Sequence, residues 1–337
     1  MGHVHAENLA NNILETELYA VADVNTSAAQ EVSNKLGVTR IFGDYRELLE
    51  VKEIDAVAIV VPTFWKHQII LDALESGKHI FCEKPLALSL EQADKIVAEV
   101  ENSGLKFQVG YMRRFDNSHL RAKTAIDGGA VGKIMYVISR SRELLIGRPA
   151  PTLPVHIKGW FADPKLGGSS LLDITSHDFD VVRWLGDCEI VRVYTEAAAL
   201  AYDYEDAGPM ENFDNAIITL KLSNGAIGYV DMCIYNVYGY DVSAEVLGTK
   251  GAVTVSSGER TSARVLRNES IENEFPNSSE MRFGQAYRDE LIEFARSVIN
   301  GRTTRVSARD GRAALAIALA ARQSAKESRP IDVKNSP

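Results

Sequence analysis

The feature that most constrains the fold is a regular alternation of apolar, strand-like segments with helix-like segments from residue 1 to about residue 112. The segment "IDAVAIVVPT" is an almost unbroken apolar run, typical of a strand buried on both faces of a parallel sheet. "TSAAQEVSNKLG" predicts a helix capped by Thr26 or Ser27, and "SLEQADKIVAEVENSG" predicts one that begins after Ser89 and ends at Gly104. "HIFCEKP" predicts a short strand that runs into a turn. Strand–helix–strand units of this length predict a doubly wound parallel sheet, the Rossmann arrangement.

The pattern changes after about residue 130. Strand-like segments follow one another, and the turns "SNG" and "GTKG" indicate hairpins. One predicted helix, "LLDITSHDFDVVRWLG", interrupts them, and the tail is helical. We therefore predict a Rossmann domain over residues 1–112 and an α+β domain with an open-faced, mostly antiparallel sheet over residues 113–330. Because an uncovered sheet face is commonly buried against a second subunit, we also expect a homodimer or homotetramer.

Composition excludes several classes of partner. The chain has 337 residues, a net charge of -9 and a pI of about 5.4, which disfavours nucleic acid and anionic membranes. No apolar stretch reaches the ~20 residues of a membrane span. The only cysteines, Cys82, Cys188 and Cys233, lie far apart and read as reduced thiols, so we expect a cytoplasmic location.

Asp23 ends the strand-like segment "YAVAD". In dinucleotide-binding folds, an acid at the tip of the second strand hydrogen-bonds the adenosine ribose and repels a 2′-phosphate. No basic residue follows in "VNTS", so the sequence favours NAD over NADP. An aspartate that merely opens a turn is the alternative.

Gly2 has the spacing of the third glycine in the G-x-G-x-x-G turn, at which the first helix packs on the first strand. On this interpretation the first strand and the other two glycines lie upstream of Met1. The alternative is that Gly2 is an ordinary second residue. The complete series of later elements favours the first interpretation, because a parallel sheet without its central strand leaves backbone groups unpaired.

Six segments together resemble the glucose-fructose oxidoreductase / inositol dehydrogenase / rhizopine-catabolism family: "GHVHAENL", "AVADVN", "HIFCEKPL", "VGYMRRFD", "GGSSLLDITSHDFDVVRWL" and "VYGYDVSAEVLGTKG". The resemblance implies a Rossmann domain, an open-faced sheet domain and an active site between them. It also implies that the peptide bond between Lys84 and Pro85 is cis, the geometry that proteins reserve for bonds before proline. Glu83 and Lys84 would then lie at the cofactor.

Asp173, His177 and Asp180 have the spacing of one helical face. A carboxylate beside an imidazole raises its proton affinity, which suits a general base in an alcohol dehydrogenase without a metal. By resemblance, Lys84, Asp173 and His177 form the catalytic set. His177 would be the base and Lys84 the ammonium that orients the hydroxyl, while Asp173 would orient the Lys–His pair or hydrogen-bond a substrate hydroxyl. A metal site and a solvated helix are the alternatives. A single histidine disfavours the first and the apolar helix the second, so we expect no metal.

Several residues are candidates for contact with substrate or cofactor. By resemblance Met112 and Arg113 line the substrate cleft; the alternative is that Arg113 and Arg114 are surface residues that pair with Asp116. Pro62 and Thr63 follow a strand at the cofactor edge and are expected near the nicotinamide ribose. Further candidate contacts with the substrate are Asp180 and Tyr235. Tyr238 and Tyr240 have the spacing of one strand face, for which core packing is the favoured reading.

Two segments depart from many inositol dehydrogenase relatives, which carry a proline-rich stretch after Ser-Arg and Gln-Arg after the Tyr-Gly-Tyr-Asp segment. This chain has "SRELLIGRPAPTLP" and "VS" there. The resemblance thus implies NAD-dependent oxidation of a cyclic polyol or sugar, with inositol 2-dehydrogenase first and an aldose, anhydrosugar or other polyol dehydrogenase second. A dinucleotide-binding regulator without activity is a third possibility. Such regulators typically lose the lysine or histidine, and this chain keeps both Lys84 and His177.

Overall fold

The computed structural model describes residues 1–144, 166–201, 213–258, 261, 265–272 and 274–334. These residues form two compact units. The first comprises Met1–Phe115 and Gln285–Arg312, and the second Asp116–Gly284 and Ala313–Pro337. The domain boundary at residue 112 stays a prediction from the sequence.

The first unit alternates strands and helices as the sequence predicts. Its strands are β1 (Ala20–Ala22), β2 (Arg40–Phe42), β3 (Ala56–Ile59), β4 (His79–Glu83) and β5 (Phe107–Gly110). Its helices are α1 (Gly2–Glu7, followed by a π-helical turn Asn8–Asn12), α2 (Thr26–Leu36), α3 (Tyr45–Leu49), α4 (Thr63–Glu75) and α5 (Leu90–Ser103). A 3-10 turn, Met112–Phe115, follows β5.

Capping explains where two of these helices begin. The Ser89 hydroxyl accepts the Gln92 N–H at 3.2 Å at the start of α5, and Gly104 ends this helix in the left-handed conformation with φ 68°, both as predicted. The predicted cap of α2 is wrong. The side chain of Asn25 accepts the N–H groups of the first turn, which places Thr26 and Ser27 inside the helix.

All strand pairs of the first unit are parallel, as predicted. In the described chain they form two separate sheets, β1–β2 and β3–β4–β5. The expectation that β3 is buried on both faces is wrong, because Ala58 is exposed. Among the described strands β3 pairs with β4 alone, so its other edge has no strand beside it.

The second unit is built on a seven-stranded sheet of order β11-β10-β6-β9-β8-β7-β14. Its neighbours are antiparallel except for β6 and β9, which are parallel. The strands are β6 (Ile134–Arg142), β7 (Ile190–Ala198), β8 (Asn215–Leu222), β9 (Ile227–Cys233), β10 (Asp241–Gly248), β11 (Ala252–Val255) and β14 (Ile331–Asp332). A separate hairpin pairs β12 (Val265–Arg267) with β13 (Ser270–Glu272). The helices of this unit are α6 (Asn117–Asp127), α7 (Ser170–Asp173) and α8 (Ser176–Gly186). The long helices α9 (Ser279–Ile299) and α10 (Ala308–Glu327) each contribute residues to both units.

One face of this sheet is covered and the other is open, as predicted. Along β8, Ile218 and Leu220 are buried, whereas Ile217 is 47% exposed. Helix α8 packs against β6 on the covered side, where the carboxylate of Asp178 accepts hydrogen bonds from Ser139 Oγ at 2.6 Å and Ser141 Oγ at 2.7 Å. Asp178 is completely buried, so these bonds fix α8 on the sheet.

Candidate active site

The turn Glu83–Lys84–Pro85 lies at the carboxyl edge of the three-stranded parallel sheet. Strand β4 is central in this sheet, so the residues after β3, β4 and β5 emerge at one edge. The peptide bond between Lys84 and Pro85 is cis, as predicted. Lys84 is half-buried, and its backbone N–H donates to Glu83 Oε2 at 3.1 Å.

The turn is held from helix α4 by Lys66, a residue that the sequence analysis missed. Its ammonium group donates to the carbonyl oxygens of Glu83, Lys84 and Pro85 at 2.6, 2.7 and 2.9 Å. Only 2% of Lys66 is exposed. A buried ammonium is tolerated when all its protons are bonded, so three carbonyl oxygens in one turn form a complementary site. The spacing along α4 could have indicated that Lys66 is buried, because it lies on the same helical face as Thr63, Ile70 and Ala73.

The carboxylate of Glu83 points into the first unit. Its Oε1 lies 2.7 Å from Nε2 of His5 on α1, and both residues are nearly inaccessible. Glu290 on α9 lies close to this pair. Neither His5 nor Glu290 was singled out in the sequence as a site residue.

The predicted histidine helix is two helices, so the prediction of one continuous helix is wrong. Asp173 ends α7, and His177 and Asp180 belong to α8. Between the helices, the hydroxyls of Thr175 and Ser176 donate to the carbonyl oxygens of Leu171 and Asp173. Such side-chain bonds to backbone carbonyls compete with the regular helical pattern.

His177 and Asp180 are three residues apart on α8 and therefore share one face. His177 is 7% exposed and Asp180 is fully buried, whereas Asp173 is half-buried. Asp178 anchors the same helix to β6, so the imidazole is carried on a fixed element rather than on a loop.

The residues predicted to hold NAD fit that group. Asp23 follows the parallel strand β1 and is exposed; its Oδ1 accepts the Asn25 N–H at 2.8 Å. A carboxylate at the carboxyl end of such a strand can accept hydrogen bonds from ribose hydroxyls. Pro62 caps α4 and Thr63 begins it, at the same edge as Lys84. Gly2 begins α1.

Met112 and Arg113 lie in the 3-10 turn after β5, and each is 1% exposed. The alternative that Arg113 and Arg114 are surface residues is wrong, since Arg114 is only 8% exposed and donates to Asp310 Oδ1 at 2.9 Å. Asp116, directly after the turn, accepts a hydrogen bond from Arg282 Nη1 at 2.8 Å. These contacts hold the turn inside the protein.

The tyrosines after β9 lie in a loop, so the expected strand face is wrong. Strand β9 ends at Cys233 and β10 begins at Asp241; within the loop Gly239 has φ 142°, and a Cβ there would lie 2.3 Å from Phe275 Cβ, so this position requires glycine. Tyr235 is half-buried and Tyr238 is 46% exposed, whereas Tyr240 is buried beside Phe283. Core packing therefore holds for Tyr240 alone of the latter pair.

The segment "LIGRPAPTLP", which departs from the relatives after Ser141-Arg142, lies outside the described residues. No helix in the described ranges is both long and apolar enough to span a membrane.

Comparison with known proteins identifies the family to which the chain belongs. Residues 1–111 match the family model described as oxidoreductase family, NAD-binding Rossmann fold, and residues 123–333 match that of the oxidoreductase family C-terminal alpha/beta domain. The chain therefore belongs to the glucose-fructose oxidoreductase / inositol dehydrogenase / rhizopine-catabolism family, as its motifs indicated, and it is an NAD-dependent oxidoreductase.

The relatives are similar over nearly their whole length. The scyllo-inositol 2-dehydrogenase (NAD(+)) of Bacillus subtilis is 34% identical over 99% of this chain and 94% of its own. The myo-inositol 2-dehydrogenase of Thermotoga maritima is 32% identical over 99% of this chain and 96% of its own. The crystal structure of the Lactobacillus casei scyllo-inositol dehydrogenase, with NAD(H) and scyllo-inositol bound, has a TM-score of 0.89 at 30% identity, covering 98% of this chain and 95% of that one.

Lys66→Met should destabilise the protein by roughly 3 kcal/mol, because three buried carbonyl oxygens lose their shared donor. Urea unfolding followed by circular dichroism measures this. The control is Lys95→Met, an exposed lysine on α5, which we expect to change stability by less than about 0.5 kcal/mol. Equal stabilities of the two variants would contradict the role of Lys66.

Proposed function

We propose that the chain oxidises a secondary alcohol of a cyclic polyol, an inositol first of all, with transfer of hydride to NAD. The supporting observation is the position of Lys84 on a braced turn at the cofactor edge of the parallel sheet. Full-length similarity to inositol dehydrogenases supports the substrate class.

In this proposal His177 is the general base that takes the hydroxyl proton as hydride leaves the carbon. The ammonium of Lys84 orients that hydroxyl and stabilises the oxygen as its negative charge develops. Asp173 orients these two groups or accepts a substrate hydroxyl. NAD, when bound, supplies the hydride acceptor. Met112, Arg113, Asp180 and Tyr235 are the proposed substrate contacts.

The same proposal assigns the cofactor contacts to residues of the first unit. Asp23 accepts hydrogen bonds from the adenosine ribose hydroxyls, and its negative charge repels the 2′-phosphate of NADP. The start of α1 at Gly2 and the start of α4 at Pro62 and Thr63 approach the cofactor backbone. Glu83 and Lys84 form the turn next to the nicotinamide. A cytoplasmic location also stays a prediction.

Lys84→Ala and His177→Ala should each lower kcat for inositol oxidation by roughly 100-fold or more, the usual contribution of a positioned acid or base. The dissociation constant for NADH should change far less. NADH formation measures turnover, with scyllo-inositol, myo-inositol, glucose, xylose and an anhydrosugar as substrates. Lys52→Ala and His3→Ala, at exposed positions, are the matched controls.

Normal turnover in either variant would contradict the catalytic assignment. Turnover of an aldose in preference to every inositol would replace the substrate. NADH binding without turnover of any alcohol would favour a dinucleotide-binding regulator.

Asp23→Ala should raise the KM for NAD by roughly 10-fold or more, because a charge-assisted hydrogen bond to the ribose is lost. The preference for NAD over NADP should fall at the same time. Steady-state kinetics with both cofactors give this ratio, with the exposed Glu53→Ala as the control. An unchanged ratio would make Asp23 a simple turn residue.

We also propose that the open sheet face is covered in a homodimer or homotetramer. Exposed apolar side chains on the strands support this, including Ile217 at 47%, Ile227 at 53% and Leu247 at 37%. Ile217→Glu should shift the sedimentation coefficient toward that of a monomer, because a charge in the centre of an apolar interface is unfavourable. A wild-type protein that sediments as a monomer at all concentrations would contradict this.

A further inference from the structure

Three titratable side chains from distant parts of the sequence meet inside the first unit: His5 of α1, Glu83 at the end of β4, and Glu290 of α9. They are 1%, 6% and 0% exposed. One nitrogen or oxygen atom from each lies within 4.8 Å of the others. We call this cluster the buried triad.

The surroundings of the triad are closely fitted to it. The rings of Phe81 and Tyr287 lie edge-on to His5, with centroids 5.2 and 6.0 Å away. A Cβ at Gly110 of the neighbouring strand would lie 3.1 Å from Glu83 Cδ and 3.2 Å from Oε1. The carboxyl group of Glu83 therefore occupies space that a glycine leaves open.

Two carboxyl groups in this environment do not both ionise, because burial and mutual repulsion disfavour the second charge. Burial raises the pKa of Glu83, but the hydrogen bond from His5 and the charges of His5, Lys84 and Lys66 outweigh it and lower that pKa. Burial and the charge of Glu83 raise the pKa of Glu290 well above its ordinary value. Of the two, Glu83 therefore carries a negative charge more readily than Glu290.

The carboxylate of Glu83 is hydrogen-bonded directly to the backbone of the turn. Glu83 Oε2 accepts the backbone N–H of Lys84 at 3.1 Å, while Oε1 faces His5. A carboxylate serves both donors with its two oxygens, whereas an amide at this position has one oxygen and a nitrogen that would face one of the donors.

We propose that His5 and Glu290 are positioning residues for the dehydrogenase: Glu290 lies beside Glu83 as an uncharged carboxyl group, and the single charged carboxylate, Glu83, held by His5, fixes the turn that presents Lys84. This rests on the proposed function, because the role of Lys84 in turnover belongs to that proposal. Lys66 holds the carbonyl side of the turn, and the triad holds its first N–H group.

The first test detects the proton on the Glu290 carboxyl group and needs no activity assay. Infrared difference spectra of wild type against Glu290→Gln at neutral pH should contain the carbonyl stretch of one protonated carboxyl group. The matched control is Glu293→Gln on the same helix, where the side chain is 20% exposed and its carboxylate faces Arg305 at 3.7 Å. No such band is expected there. Absence of the band in the Glu290→Gln difference spectrum would overturn the claim that Glu290 is protonated.

The second test addresses the turn. Glu83→Gln should lower kcat roughly tenfold or more while changing the NADH dissociation constant by less than about threefold, as expected when a reacting group is misplaced. Amide hydrogen exchange in a peptide covering residues 80–88 should become faster in this variant. Glu290→Gln keeps a neutral side chain beside Glu83 and should lower kcat less than Glu83→Gln does.

Unchanged kcat and unchanged exchange in Glu83→Gln would overturn the positioning role. If this variant does not fold, His5→Phe, which removes only the polar contact from the ring, replaces it with the same expected and opposing outcomes. If wild type oxidises no polyol, the proposed function fails, but the spectra and the exchange data still decide the triad. A purified protein that contains one equivalent of a divalent metal and loses its activity to a chelator is the opposing outcome. That result would make the cluster a metal site and overturn the claim that Glu290 is protonated.

Discussion

The structure around Lys84 depends on the three hydrogen bonds that the buried ammonium group of Lys66 donates to the turn. Desolvating a charge is costly, and here three carbonyl oxygens of consecutive residues offset that cost. The turn cannot move without breaking several charge-assisted hydrogen bonds at once. The half-buried Lys84 on this turn is therefore presented by a fixed backbone, which is the condition for an ammonium group to act on a hydroxyl with little reorganisation.

Buried charge is used in the same way in both units. In the first, the pKa of Glu83 is lowered despite its burial, by the hydrogen bond from His5 and by nearby positive charges, whereas burial raises the pKa of Glu290. In the second, the carboxylate of Asp178 bonds to two serines of β6 and fixes the helix that carries His177. Lys84 and His177 thus each belong to an element that buried charged or polar groups hold in place.

Elements with strong local signals were predictable from the sequence. Ser89 and Gly104 delimit α5, and alternation along β8 gives the two faces of the sheet, because capping and period-two burial depend on neighbours in sequence. The two-residue strand β14 was missed, since a pairing of Ile331 with Val193 leaves no local pattern. The break between α7 and α8 was missed as well, because the hydroxyls of Thr175 and Ser176 can bond either to solvent or to backbone carbonyls.

The site shows the same limit. The motif around Lys84 was recognisable, but its supports were not, because His5 and Glu290 are separated from Glu83 by 78 and 207 positions in the sequence. Their roles depend on a meeting that only the folded chain specifies. Lys66 read as one more polar residue in α4, although its spacing from Ile70 placed it on the buried face.

The most direct test of this account is a crystal structure of the protein with NADH and the inositol that it oxidises best. The account predicts that Lys84 Nζ and a ring nitrogen of His177 both lie within about 3.2 Å of the hydroxyl oxygen on the reacting carbon. A complex in which either group is directed away from that oxygen, while the substrate carbon faces the nicotinamide, would contradict it.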